Sequence, residues 1–230
     1  MLAPETQEND TGDGETPDFG PRQADVLEAA LTLLVKGGDK GFTTARLARA
    51  ANCSKESLYK WFGDRNGLLA AMIAYQASKV RVAGSPNAKP GADEFRRQLT
   101  DFARDLLTVL AGPTSLALNR LAIGEAGRAD AQLGRLLTER GRRAIEERAK
   151  TLLDAGRRAG LIAFDDREEA FATLYGLIVG DMHVRMLLGE AVPELAGTSG
   201  IDARAGRAIT KFQRLYAAGE AMTTTEKSNT

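Results

Sequence analysis

One cysteine and one histidine in 230 residues leave no thiol pairs for a disulfide framework. They also cannot supply the three or four nitrogen and sulfur ligands of a zinc site, so no metal is expected. β-Branched aliphatic residues are scarce too. Valine and isoleucine together number 15, against 65 for alanine and leucine. Strands select the first pair and helices the second, which predicts an all-α protein. No glycine-rich phosphate loop is present, and no cofactor is expected. Nor does any stretch approach the roughly 20 apolar residues of a membrane span, and the first twenty residues lack the basic start and apolar run of a signal peptide. The chain is expected to be soluble and cytoplasmic, with no membrane partner. At about 100–200 residues per domain it holds one large domain or two small ones.

The 31 basic and 31 acidic side chains cancel, but unevenly along the chain. Residues 1–20 carry six carboxylates, from Glu5 to Asp18, and no lysine or arginine. Set among Pro, Gly and Thr, this segment has too little apolar surface to offset the entropy of ordering, and a disordered acidic tail is expected. Residues 21–65 reverse the sign, with eight basic groups against five acidic ones. Such a head suits a polyanion. The remainder, 66–230, is mildly positive, 23 against 20.

Hydrophobic spacing divides the rest. Val26, Ala29, Ala30, Leu33 and Leu34 recur at i, i+3 and i+4, predicting a first helix of about four turns that stops at Gly37-Gly38. Thr43 stands where a cap belongs, before a short second helix with Leu47, Ala48 and Ala51 turned inward. Ala51-Asn52-Cys53-Ser54 reads as a tight turn, because Asn tolerates the left-handed backbone and Ser can cap the next helix. That third helix, Lys55 to Phe62, buries Leu58 and Phe62, and Asp64 caps a fourth running to about Val82. Gly84 to Gly91 is the clearest linker. Beyond it five helices are expected, over 92–110, 114–126, 130–158, 166–189 and 201–217, with a polar, frayed end at 219–230.

Two short helices joined by a tight turn make a helix-turn-helix, whose second helix enters the DNA major groove while the first crosses the backbone. With Leu58, Phe62 and part of Trp61 inward, Lys55, Glu56, Ser57, Tyr59 and Lys60 remain outside. Lys55 and Ser57 are the candidate base readers. Thr44, Tyr59, Lys60 and Arg65 are the candidate contacts that fix the head on the phosphates, and Thr43 is a further candidate for DNA binding. Glu56 either accepts from a cytosine amine or pairs with Lys60 one turn on. On charge and spacing alone, a helical hairpin with a solvated face gives the same pattern.

The stretch GFTTARLARAANCSKESLYKWFGDRNGLL, Gly41 to Leu69, is more specific. The Thr before the second helix, Leu47-Ala48, the small-turn-Ser junction, Leu58-Tyr59, Phe62, Arg65 and Leu68-Leu69 resemble the DNA-binding domain of TetR-family transcriptional regulators. Asn52 and Cys53 replace the commoner Gly and Val, and both suit the same turn. The pair Lys55-Glu56 leaves the operator sequence open. Leu116 to Gly127 and Arg167 to Leu188 are similar to the AefR-like subgroup. The resemblance implies a DNA-binding domain over 21–66 and a helical effector-binding and dimerisation domain over 67–218. It implies a homodimeric repressor, closed by its last two long helices, that is released from a palindromic double-stranded DNA operator by a small apolar or amphipathic effector. The other reading is a regulator controlled by a protein partner or acting without a small ligand.

Polar residues inside apolar helical runs are the candidates for orienting such an effector. They are Asn119 and Arg120 in SLALNRLAIGE, Tyr175 in FATLYGLIVG, and His183 with Asp181 in GDMHVRMLLG. Phe102 is among the aromatics able to wall a pocket. Each has a plainer place: Arg120 paired with Glu125, His183 in a core or interface beside Met182 and Met186, the aromatics in core packing. Gly176 and Gly180, four apart, allow a second helix to approach closely, in a dimer or within the chain. Catalysis is not expected. Ser57-Leu58-Tyr59-Lys60 matches S-x-x-K but lacks both partner motifs, and Asp165-Asp166 and Glu168-Glu169 suit a helix start.

Overall fold

The computed structural model describes residues 19–83, 89–127 and 131–218. The expected acidic tail up to Asp18, most of the linker and the polar end beyond 218 lie outside these. Among the described residues there is no strand, and a single isolated bridge pairs Ile162 with Ala217. The fold is all-α, as the alanine and leucine content requires.

Helices α1 (Pro21–Gly41), α2 (Thr44–Ala50), α3 (Lys55–Phe62) and α4 (Arg65–Ser78) form the N-terminal part. Helix α1 breaks at Gly38, where φ is 55° and ψ −158°, at the expected stop, and a short helical stretch follows to Gly41. Its inner face, Val26, Leu27, Ala30, Leu31 and Leu34, closes on Phe42, Leu47, Leu58 and Phe62 and on Leu68 to Ile73 of α4. Each such side chain stabilises by roughly 1.5–3 kcal/mol when fully buried. Helix α4 ends four residues short of Val82. Arg148 Nη1 donates to Ala77 O in the last turn of α4 at 3.0 Å and to Val80 O just beyond it at 2.8 Å.

The C-terminal part begins with α5 (Ala92–Ala111) and α6 (Pro113–Glu125). Next, α7 (Leu133–Leu136) widens into a π-helical turn over Leu137–Arg142 and re-tightens as α8 (Arg143–Arg158). The chain continues through α9 (Arg167–Val179), α10 (Met182–Leu187), a short 3-10 turn and α11 (Gly197–Leu215). The single helix expected over 166–189 is therefore two, because Gly180 leaves the helical region at φ 53°. Helix α11 packs on α5 and α9, enclosing Phe95, Phe102, Phe171 and Phe212 in a second core. Leu118 and Ala122 of α6 belong to the first core, against α1, so the two parts share a packed seam.

Candidate DNA-binding head and ligand cavity

The turn between α2 and α3 is fixed from several sides. Thr43 Oγ1 accepts the Arg46 N–H at 3.3 Å and caps α2, while Ser54 Oγ accepts the Ser57 N–H at 3.0 Å and caps α3. Asn52 takes the left-handed backbone, φ 48°. Arg22 of α1 reaches over to donate to the carbonyls of Ala51 and Asn52. At the other end of α3, Asp64 caps α4, and its partner across the junction is a glycine for a steric reason: a Cβ on Gly67 would stand 2.0 Å from the Phe62 carbonyl oxygen. Helix α4 thus starts in direct contact with the end of α3. The outer face of α3 carries Lys55, Tyr59 and Lys60. Tyr59 is 56% exposed, an aromatic left in water on an otherwise packed unit.

A cavity of about 450 Å³ opens between α4, α5, α6, the π-helical turn, α8, α9 and α10. Its wall is mostly apolar, from Ile73, Leu106, Leu110, Leu118, Ile145 and Phe171, which suits a small organic ligand. Polar groups enter it sparsely. Asn119 Nδ2 donates to Ser115 O at 2.9 Å. Arg142 lies over the Tyr175 ring, 5.3 Å from its centroid. Burial raises the Tyr175 pKa, a rise that Arg142 partly opposes, and burial lowers that of His183.

Residues 26–72 match the family described as bacterial regulatory proteins, tetR family. Residues 97–218, just over half of the chain, match the C-terminal domain of the AefR-like transcriptional repressors. The chain belongs to the TetR family. It is similar to a TetR transcriptional regulator from Agrobacterium tumefaciens, at 57% identity over 87% of this chain and 96% of that one, with a TM-score of 0.73. It is also 34% identical over 58 residues to an uncharacterized HTH-type transcriptional regulator of Bacillus subtilis, YvkB; that match covers 25% of this chain and 31% of the relative. The protein is therefore a DNA-binding transcriptional regulator of the TetR repressor class and not an enzyme. Among the described residues no single helix is long and apolar enough to cross a membrane.

On this TetR-family head the residues singled out from sequence fall into two groups. Lys55, Tyr59 and Lys60 project freely from α3, with Thr43 and Thr44 at the start of α2. Ser57 is half-buried with its Oγ 3.1 Å from Ser54 Oγ, and Arg65 is tethered by a hydrogen bond to Phe42 O at 3.3 Å and by its position over the Phe42 ring. Glu56 does not make the pairing with Lys60, and its contact to a cytosine amine is a property of the DNA complex. Its own backbone N–H and the Ser54 hydroxyl hold its carboxyl below the usual range, and no ion pair with Lys60 forms among the described residues. Arg22, counted in the sequence only as charge, holds the turn itself.

The TetR-family cavity receives Asn119, Tyr175 and His183. Phe102 is sealed in the second core, away from the wall. Arg120 is exposed and points elsewhere: its Nε and Nη2 donate to Leu187 O at 3.1 Å and Met186 O at 2.7 Å, capping α10 rather than pairing with Glu125. Gly176 and Gly180 do not share one helix face, since Gly180 ends α9. Four polar wall residues are not among those singled out from sequence: Gln76, Ser115, Thr138 and Arg142. Gln76 lies in the apolar run MIAYQAS and meets the criterion that selects Asn119. Arg142 sits in a densely charged segment, at the end of the π-helical turn that lines the cavity.

Proposed function

We propose that the protein is a homodimeric repressor that occupies a palindromic operator and is released by a small apolar or amphipathic effector bound in the 450 Å³ cavity. In this reading residues 21–66 form the DNA-binding unit and 67–218 the effector and dimerisation unit. Helix α4 is the link between them. Its first turn touches the end of α3 through Gly67, and its later turns supply Ile73, Gln76 and Ala77 to the cavity wall. An occupant that displaces α4 therefore moves the recognition helix. The size of the effect is bounded by the effector's differential affinity for the two arrangements.

Lys55 and Ser57 read base edges, while Thr43, Thr44, Tyr59 and Lys60 grip phosphates. Arg65, tethered to Phe42, contacts phosphate from the base of α4 and keeps the entry to α2 in register. Two such heads must stand one DNA turn apart, about 34–36 Å, to read a palindrome. The exposed face of α9 and α11, with open space at Gly176 and Gly206, supports a two-fold contact there. The cavity favours effector control over control by a protein partner.

Selection from a random-sequence DNA pool at physiological salt tests the reading. Enrichment of a palindrome is expected. Retention that is salt-sensitive and sequence-independent overturns it for the free protein.

A further inference from the structure

Two polar atoms in the cavity wall differ from the rest. Gln76 Oε1, from α4, and His183 Nδ1, from α10, are buried without a hydrogen-bond partner among the described residues. Buried acceptors are almost always satisfied, and leaving one unpaired is costly. Both belong to side chains that line one apolar cavity, and neither atom is open to it in this arrangement, so a ligand completes the set by drawing the side chain toward itself. His183 is neutral at neutral pH: burial lowers its pKa, against a smaller opposing pull from the Leu110 carbonyl. A neutral imidazole has one donor and one acceptor nitrogen, and the unpartnered Nδ1 is assigned as the acceptor.

The other wall groups narrow the chemistry further. Among the described residues no carboxylate lines the cavity, so nothing there holds a cation, and an ammonium group is excluded as the donor. The amide of Asn119 is engaged with Ser115, and the wall's guanidinium, on Arg142, is exposed and stacked on Tyr175. An anionic ligand would bring only acceptors to two atoms that need donors. Resting on the effector reading of the cavity, we infer that the site selects an uncharged, largely apolar molecule bearing a hydroxyl group, which it donates to Gln76 Oε1 or His183 Nδ1.

Calorimetric titration of the full chain with 4-hydroxybiphenyl, 4-methoxybiphenyl and biphenyl tests this, because the three share one apolar body and differ in the donor. The hydroxyl compound is expected to bind about tenfold more tightly than its methyl ether or more, since a site built to pair a hydroxyl rejects analogues lacking it. Either Gln76→Met or His183→Phe should erase that preference while biphenyl still binds within about twofold of the parent affinity, which also certifies the variant's cavity. Equal binding of all three probes overturns the inference and leaves the cavity reading intact, with ordered water then satisfying the acceptors. A hydroxyl preference that survives both substitutions overturns it too. Failure of all three to bind removes the effector reading itself.

Discussion

Lys55 and Lys60 share one short helix and carry the same charge, yet the proposed docking gives them different work. Lys55 stands in the first turn, the end of a recognition helix that meets base edges, and Lys60 in the last. Lys60→Ala is expected to weaken binding to every DNA sequence and to lower the slope of log affinity against log salt by about 0.9, one phosphate contact. Lys55→Ala should relax base preference, reducing affinity for the selected operator about tenfold or more while sparing non-specific DNA. Binding isotherms on both DNAs across a salt series separate the two, and a uniform loss in Lys55→Ala would strip it of its base-reading role. His183 offers a second check on a single side chain because it is the chain's one histidine. Its folded pKa is lowered from 6.5 by burial. The unfolded chain therefore takes up the proton first, so the stability associated with a neutral His183 is complete above pH 6.5 and is lost as pH falls through the interval down to the folded pKa. Urea unfolding between pH 7.5 and 5 should show this slope in the parent and lose it in His183→Gln.

Between helices, arginines finish what the helix ends leave open. Arg148 is half-buried in α8 and no carboxylate answers it among the described residues. Its Nη1 takes the Ala77 and Val80 carbonyls, its Nε takes Ala144 O at 2.9 Å, and burial lowers its pKa. Arg148→Met keeps most of the packing but removes the donor from Val80 O, so a loss of about 1–3 kcal/mol is expected in equilibrium unfolding. It should also loosen the C-terminal turn of α4, read as faster amide exchange at 76–80. Such endings explain what could and could not be read from the sequence. Periodicity locates the helices of the head and their inward residues because each buries one face, and caps at Thr43, Ser54 and Asp64 are legible as residue types. The breaks further on are not. Gly180 sits in a run where glycine equally suits close packing, and nothing in LTERGR distinguishes a π-helical turn from an α-helical one. Arg120 lies five residues from Glu125, off its helix face, and the carbonyls it caps lie on α10, remote in sequence. The cavity is half legible for the same reason. Asn119, Tyr175 and His183 interrupt apolar runs, whereas Arg142 is placed by the backbone's course alone.

For the protein as an assembly the decisive question is what covers the outer face of α9 and α11. Within one chain that face is undemanding: Gly176 is exposed in the interior of α9, and a Cβ there meets nothing within 4 Å. Replacing a mid-helix glycine also removes a penalty of about 0.8–1 kcal/mol, so a larger side chain should leave the single chain at least as stable. A two-fold contact reverses that outcome. Each chain would present the same position to the same surface of its partner, so one substitution introduces two side chains, and with arginine two like charges, into a desolvated seam. Gly176→Arg should therefore melt at or above the parent temperature when dilute, yet sediment as a monomer at micromolar concentration and lose the palindrome. Its affinity for a single half-site should remain, because α3 is untouched, and Gly176→Ala should stay dimeric. If Gly176→Arg sediments as a dimer and holds the palindrome with the parent affinity, then α9 is not at the two-fold axis, and the spacing of the heads must be set by another surface.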